Sequence, residues 1–324
     1  MATYSYTDIA DVFIPQKQSE YIREQVITKS ILFQSGAVVK ATLADLKLSP
    51  IKGGQKVTIP FWKQPDKTMT NLDNDTSLTP KGFTSDTVTG WLLARGTSWG
   101  FDAILKAYSG SDPLGFIAEY ASDAWIAHNS GVVLSILKGL FATPATTLMD
   151  GNYIDLSSGV LNSGDMLKIM YLLGDNKDKI TLVYMHSAIE QHLVNLGEIV
   201  IKEPWEGSPS LNTYKGKSVM IDDTLPYNAS TKIGNIYMLG AGAFIFNDEF
   251  HQQDALQKNE QTDSTGYFTR RVMLMHPNGI SFTATSPFGT AQAPRDADLE
   301  SAASWTREYE AKNVPITCGK VKIS

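Results

Sequence analysis

Cysteine is nearly missing from these 324 residues: Cys318 is the single one. No intrachain disulfide and no multi-cysteine metal site can form, and such usage fits synthesis in a reducing cytoplasm. Long apolar runs are missing too. The most apolar stretches, around 132–142 and 236–246, fall well short of the roughly 20 residues a spanning helix needs. The first residues, Met1-Ala-Thr-Tyr-Ser-Tyr-Thr-Asp8, carry neither a basic head nor an apolar core. No secretory signal and no membrane partner are therefore expected. Basic residues are not in excess: 28 Lys and Arg against 34 Asp and Glu leave a net charge of −6. That balance argues against a protein that wraps nucleic acid by neutralising phosphates. The five histidines are scattered, with no His-Glu-x-x-His, so neither a metal nor a cofactor is expected.

What is present describes a folded chain, 42% hydrophobic and 19% charged, of one or two intimately connected domains. Residues 1–35 read as an extended arm running into a helix, with Pro15 at a first helical position and Ile22, Val26 and Phe33 at about helical spacing. Lys56-Val-Thr-Ile-Pro-Phe61 alternates as a strand with one buried face, Lys63–Lys81 is polar and turn-rich, and Thr87–Ala94 is a second strand. Together they predict a long hairpin that projects from the body, since connections of that length are usually functional. Asp112 as N-cap, Pro113 after it and a stripe of Leu114, Ile117, Ala121, Ala124, His128, Val132, Ile136 and Leu140 predict one helix over Asp112–Phe141.

A loop over Thr143–Gly159 leads into a mixed α/β stretch. It comprises a helix opened by Ser163, a strand Ile180–Met185 and a helix started by a Ser187/Glu190 capping box. Tyr214–Pro226 reads as a short strand with an acidic turn, and Ile236–Phe246 as a strand pair broken by glycines. Arg270–Thr283 reads as a hairpin closing on Asn278-Gly279, because a tight primed turn needs positive φ at both central positions. Near the end, Trp305 and Tyr309 precede a strand-like stretch from Val314 to Ile323.

One segment could carry chemistry. Gly96-Thr-Ser-Trp-Gly100 fits the Gly-x-Ser-x-Gly nucleophile elbow, with His276 as a base and Asp248 as its orienter. No His-Gly-Gly loop precedes it, and Trp99 would crowd the elbow helix. The plainer reading is that two glycines bend the chain where the hairpin rejoins the body. Asp222-Asp223 suits a turn better than an acid/base pair. Leu239-Gly-Ala-Gly-Ala-Phe244 lacks the third glycine of a dinucleotide loop. Arg270-Arg271 is too small for a nucleic-acid patch, and Trp91, Trp99 and Trp125 read as core or interface anchors.

Arm, projecting hairpin, long helix, α/β region and returning strands, in that order, resemble the major capsid proteins of tailed bacteriophages. The resemblance rests on Tyr214–Pro226, Ile236–Phe246, Arg270–Thr283, the helix segment and Ser301–Asn313. It implies an α+β fold, often called the Hong Kong ninety-seven type. The implied divisions are an arm and helix (1–50), an extended hairpin (51–101), a spine helix (102–150), an axial α/β domain (151–285) and a returning C-terminal segment (286–324). It also implies a structural protein without catalysis: a homo-oligomer whose hexamers and pentamers close an icosahedral virion head, assembled in the host cytoplasm. Scaffolding and portal proteins would be partners, and double-stranded DNA would be packaged without sequence-specific binding. Phe13 of the arm and Val57, Ile59, Phe61 and Trp62 of the hairpin are the expected inter-subunit contacts. Some members crosslink a hairpin lysine to a neighbour's asparagine; Lys63, Lys67 and Lys81 are suitably placed, but the sequence names no partner. Two rivals stay open: an encapsulin-type compartment shell with the same fold, and a serine hydrolase using Ser98.

Overall fold

The computed structural model describes residues 15–42, 47–48, 56–63, 68–69, 71, 78, 80–102, 113–142, 147–201, 212–259, 264–284 and 293–324. Helix α1 (Pro15–Lys29) and the single turn α2 (Ile31–Gln34) lead into β1 (Val38–Lys40) and β2 (Lys47–Leu48). The hairpin strands β3 (Lys56–Lys63) and β4 (Thr84–Trp91) follow, then β5 (Leu93–Asp102) and the spine helix α3 (Pro113–Leu140). Asp112, the expected cap, lies outside the described residues. At about 1.5 Å per residue, α3 is roughly 42 Å long.

Beyond it come β6 (Tyr153–Val160), α4 (Ser163–Tyr171), β7 (Ile180–Met185), α5 (Ser187–Asn195), β8 (Ile199–Ile201), β9 (Asn212–Tyr214), β10 (Lys217–Ile221), β11 (Tyr227–Asn228) and β12 (Ile233–Gly240). The chain ends through β13 (Phe244–Asn259), β14 (Ser264–Pro277), β15 (Ile280–Phe282), α6 (Asp296–Leu299), β16 (Trp305–Arg307) and β17 (Ile316–Lys322). Two larger sheets result. A mixed sheet runs β6-β17-β12-β7-β10-β9-β8, with β11 on β12, and a second sheet runs β1-β13-β14-β5. The hairpin forms a third sheet in the order β2-β3-β4, and β15 pairs with β16.

Period-two alternation in the mixed sheet divides the interior into two cores. Leu182, Tyr184, Tyr237 and Leu239 join the core that holds the spine helix and the β13–β14 ribbon. Their neighbours Val183, Met185, Ile236 and Met238 face α4 and α5, packing on Met166, Ile169, Ile189 and Leu193. The spine helix buries Ile117, Ala121, Trp125, Val132, Val133, Ile136, Leu137 and Leu140. Ala124 and His128, which the sequence stripe includes, sit at the margin of that face. Helix α1 buries Ile22 and Val26 and packs on α3 and β13.

Several local expectations change. The segment 143–159 is not all loop, because β6 joins β17 there in parallel. The cap of α5 is His186, whose Nδ1 accepts from the Ala188 N–H, and Ser187 is the first helical residue. α4 is capped by Asn162 in a reciprocal box with Asp165. The strands flanking Ala241-Gly242 do not pair with each other: β12 belongs to the mixed sheet and β13 to the ribbon. Asn278-Gly279 is a turn, but only Gly279 has positive φ (81°), so the primed turn is not made. The chain leaves the ribbon there, and β15 pairs with β16 instead.

Gly139 is where the C-terminal segment crosses the spine helix. A Cβ at this position would overlap the Leu299 carbonyl and come within 2.9 Å of Trp305 Nε1. Those two groups are hydrogen-bonded to each other at 2.9 Å. Gly131, in the same helix, is exposed with nothing within 4 Å of such a Cβ. Urea melts should therefore give opposite signs: Gly131→Ala stabilises by up to about 1 kcal/mol, and Gly139→Ala destabilises by roughly 1–3 kcal/mol.

Candidate assembly interface

Strands β3 and β4 pair in one unbroken register, from Lys56 opposite Trp91 to Lys63 opposite Thr84. Their alternation has a clear outcome. Val57 is fully buried with Leu92 and Leu274, and Ile59 packs on that small cluster. The Phe61 ring meets Tyr309 edge-on at 4.7 Å. These three residues face their own chain, so the contact surface expected of Val57 is already occupied within the protomer. Trp62 points the other way and is 71% exposed. Farther along the hairpin, Met69 (94%), Leu78 (62%) and Phe83 (70%) are also bare. Large apolar groups gathered on one projecting element mark an interaction surface. Sequence reading missed Met69, Leu78 and Phe83; the available signal was isolated large apolar residues within a polar, turn-rich tract.

Polar contacts stiffen the hairpin. Lys63 Nζ meets Asp86 Oδ2 at 2.5 Å across the strands. That hydrogen bond raises the Lys63 pKa and lowers that of Asp86. Lys81 Nζ donates to the Thr68 carbonyl at 2.7 Å and to its hydroxyl at 2.8 Å. Lys67 lies outside the described residues. At the base, the Thr89 N–H donates to Ser281 Oγ (3.2 Å) and the Thr89 hydroxyl to the Phe282 carbonyl (3.3 Å). Beneath them lies His276, buried next to Gly90 and Trp305. Burial pushes its pKa down to about 4, so the ring is neutral.

The arm helix is fixed at the other end of the ribbon. Where the β13–β14 register shifts between Asn247 and His251, the buried Asp248 and its neighbour Glu249 face cations from the arm side. Arg23 Nε lies 3.3 Å from Asp248 and Arg23 Nη2 3.0 Å from Glu249, while Lys40 Nζ is 3.1 Å from Glu249. Burial raises the Asp248 pKa, against the pull of Arg23 and Arg271. Phe13 lies outside the described residues.

The hydrolase constellation is not assembled. Ser98 sits in the middle of β5 opposite Phe268, and the pairing of that strand with β14 continues without a register shift through Gly96 and Gly100. His276 lies eight positions farther along β14, roughly 27 Å away at about 3.4 Å per residue. Asp248 is engaged with Arg23. Among the described residues no group of three or more His, Cys, Asp or Glu could hold a metal ion. No described helix is long and apolar enough to cross a membrane.

An arm helix, a projecting hairpin, a spine helix on a long ribbon and a mixed axial sheet define the Hong Kong ninety-seven type of phage capsid fold. Solved structures share it: a capsid of a native GTA particle (12% identity, TM-score 0.55, 99% of this chain and 95% of that one) and Microbacterium phage Oxtober96 (10%, 0.54, 100% and 96%). No protein-family model matches. By sequence, the chain is 26% identical to the major capsid protein of Bacillus phage SPP1, over 96% of this chain and 97% of that relative. The α+β fold and the resemblance to major capsid proteins are both borne out.

The buried imidazole predicts acid sensitivity. Unfolded, His276 titrates near 6.5; folded, only near 4. Above pH 6.5 both states are neutral, and between 6.5 and 4 only the unfolded chain gains the proton. Stability should thus fall on acidification through that window, by about 3 kcal/mol in total from this group. Denaturation midpoints at pH 7 and pH 5 should differ more for the wild type than for His276→Gln.

Proposed function

We propose that this protein is the major capsid protein of a tailed phage, a structural subunit that self-assembles into the icosahedral shell of the head. The end-to-end match to the SPP1 major capsid protein carries the reading, and the shared fold over the whole chain supports it. Copies associate into hexamers and pentamers in the host cytoplasm around a separate scaffolding protein, with a portal at one vertex. The finished virion head encloses double-stranded DNA that a wall of net charge −6 has no general attraction for. Its work is association, not catalysis, and the scattered positions of Ser98, His276 and Asp248 agree with that.

Trp62, together with Met69, Leu78 and Phe83, forms the contact surface for a neighbouring copy. Val57, Ile59 and Phe61 support it from behind by fixing the hairpin to the body. The segments follow suit: arm to residue 50, hairpin to 101, spine to 150, axial domain to 285 and the returning C-terminal segment. Many modest contacts repeated by symmetry make a strong shell even where each is weak.

Shortening the loop between Lys63 and Lys81 should leave a soluble protomer with an unchanged melting temperature and no closed particles on negative-stain micrographs. Normal shells from that variant would remove the hairpin from the assembly mechanism. A wild-type protomer that stays monomeric in the presence of its scaffold would remove the shell reading itself.

A further inference from the structure

The middle of β5 is uncovered on one side among the described residues. It is the outer strand of its sheet, and among the described residues no strand pairs with its free edge. In an antiparallel pair, alternate residues turn both N–H and C=O toward the partner strand and the others turn both away. The Ala94 carbonyl takes a hydrogen bond from the Arg95 guanidinium at 3.2 Å, on the exposed side. A Cβ on Gly96 would lie 3.5 Å from Arg270 Cα, the close approach of a non-hydrogen-bonded pair. Ala94, Gly96, Ser98 and Gly100 therefore present their backbone groups outward.

Proteins normally blunt such an edge with proline, charge or a bulge. This stretch has no proline and no register shift, and its one cation, Arg95, is bound to Asp296 at 2.8 Å. Gly100 has ordinary φ, and a Cβ there would meet only the Thr265 carbonyl, at 3.9 Å. Glycine inside a strand marks a place where another backbone comes close.

Beside this edge, on the spine-helix side, lies a cavity of about 250 Å3 lined by Arg95, Thr97, Trp99, Ala124, Trp125 and His128. His128 Nε2 is sealed from solvent without a hydrogen-bond partner. Burial and the nearby Arg95 lower its pKa, so the ring is neutral and can accept a proton donor. The aromatic lining of Trp99, Trp125 and the neutral imidazole suits a tyrosine ring. The sequence offers a matching segment: Thr3-Tyr4-Ser5-Tyr6-Thr7 alternates hydroxyl and aromatic residues of high β-propensity. The fourteen residues before Pro15 can reach at most about 50 Å.

We propose that β5 accepts an added strand, Thr3–Thr7 from a second copy of this chain, with Tyr4 or Tyr6 seated in the Trp99–Trp125–His128 cavity. The Gly-x-Ser-x-Gly segment is then a docking edge kept small so that a second backbone can lie against it. The inference rests on the shell reading, in which the arm grips neighbouring copies.

Cysteines placed singly at positions 3 to 7 in one tagged population, and at Ser98 in another, test it after co-assembly and oxidation. The native Cys318 is buried and does not compete. Ser98 lies on the face opposite Trp99, so linkage is expected for Thr3→Cys, Ser5→Cys or Thr7→Cys and not for Tyr4→Cys or Tyr6→Cys. Ser98→Pro, which removes only an outward N–H, should keep the melting temperature and lower particle yield at least tenfold. Particles that show no linkage, equal linkage at all five positions, or linkage only within one chain of a double variant overturn the proposal and leave the shell reading intact. A wild type that never forms particles overturns both.

Discussion

Two long elements of similar length, locked face to face, set what this protomer can be. The spine helix is roughly 42 Å long, and the fourteen residues of β14 extend for roughly 48 Å. Trp125 fastens them: its indole N–H donates to Thr269 Oγ1 at 3.1 Å, and the Arg271 guanidinium lies 4.6 Å over its ring. Arg271 is itself almost wholly buried, as are Asp248 and Asp254. Burying these charges costs several kcal/mol per ion before their mutual attraction is counted. What crosses from helix to ribbon is the Trp125 side chain, so sliding one against the other would break its hydrogen bond to Thr269 and uncover the Arg271 guanidinium against its ring.

From that beam the two projecting parts take their positions. The arm helix is tied at the irregular part of β13 through Arg23, and the hairpin is seated over His276 and Ser281 at the other end of the ribbon. Each attachment joins buried apolar side chains (Ile22 and Val26 in the arm helix, Val57 in the hairpin) to polar contacts, while the hairpin also displays large residues that the described part of its own chain leaves uncovered. Rigid anchoring lowers the ordering cost of association. The same anchoring separates the stability of the subunit from its power to assemble, since Trp62 and Phe83 contribute little to the cores.

The spine helix was legible in the sequence because Pro113 and the apolar stripe agree, and among the stripe residues whose burial is described Ala124 and His128 sit at the margin. The β13–β14 ribbon was not. Asn247-Asp-Glu-Phe-His-Gln-Gln-Asp254 carries too few apolar residues to reveal a strand, since one face is solvent-facing and the other holds charges paired from distant segments. At the hairpin, alternation correctly gave one buried face but could not say what buries it. Val57 and Ile59 proved to face Leu92 and Leu274, residues that only the fold brings near. Asn278-Gly279 has the composition of a hairpin turn, yet β15 finds its partner in Trp305–Arg307, beyond the reach of local pattern.

The lone thiol carries a further consequence. Cys318 is sealed within β17, and burial pushes its pKa far above the ordinary range, leaving it a poor nucleophile and a poor target for oxidants. A shell built from such subunits presents no accessible thiol, since Cys318 is the single cysteine and is buried. Disulfides between copies would need β17 to open, so thiol chemistry neither holds such a shell together nor makes its strength vary with the redox state of its surroundings.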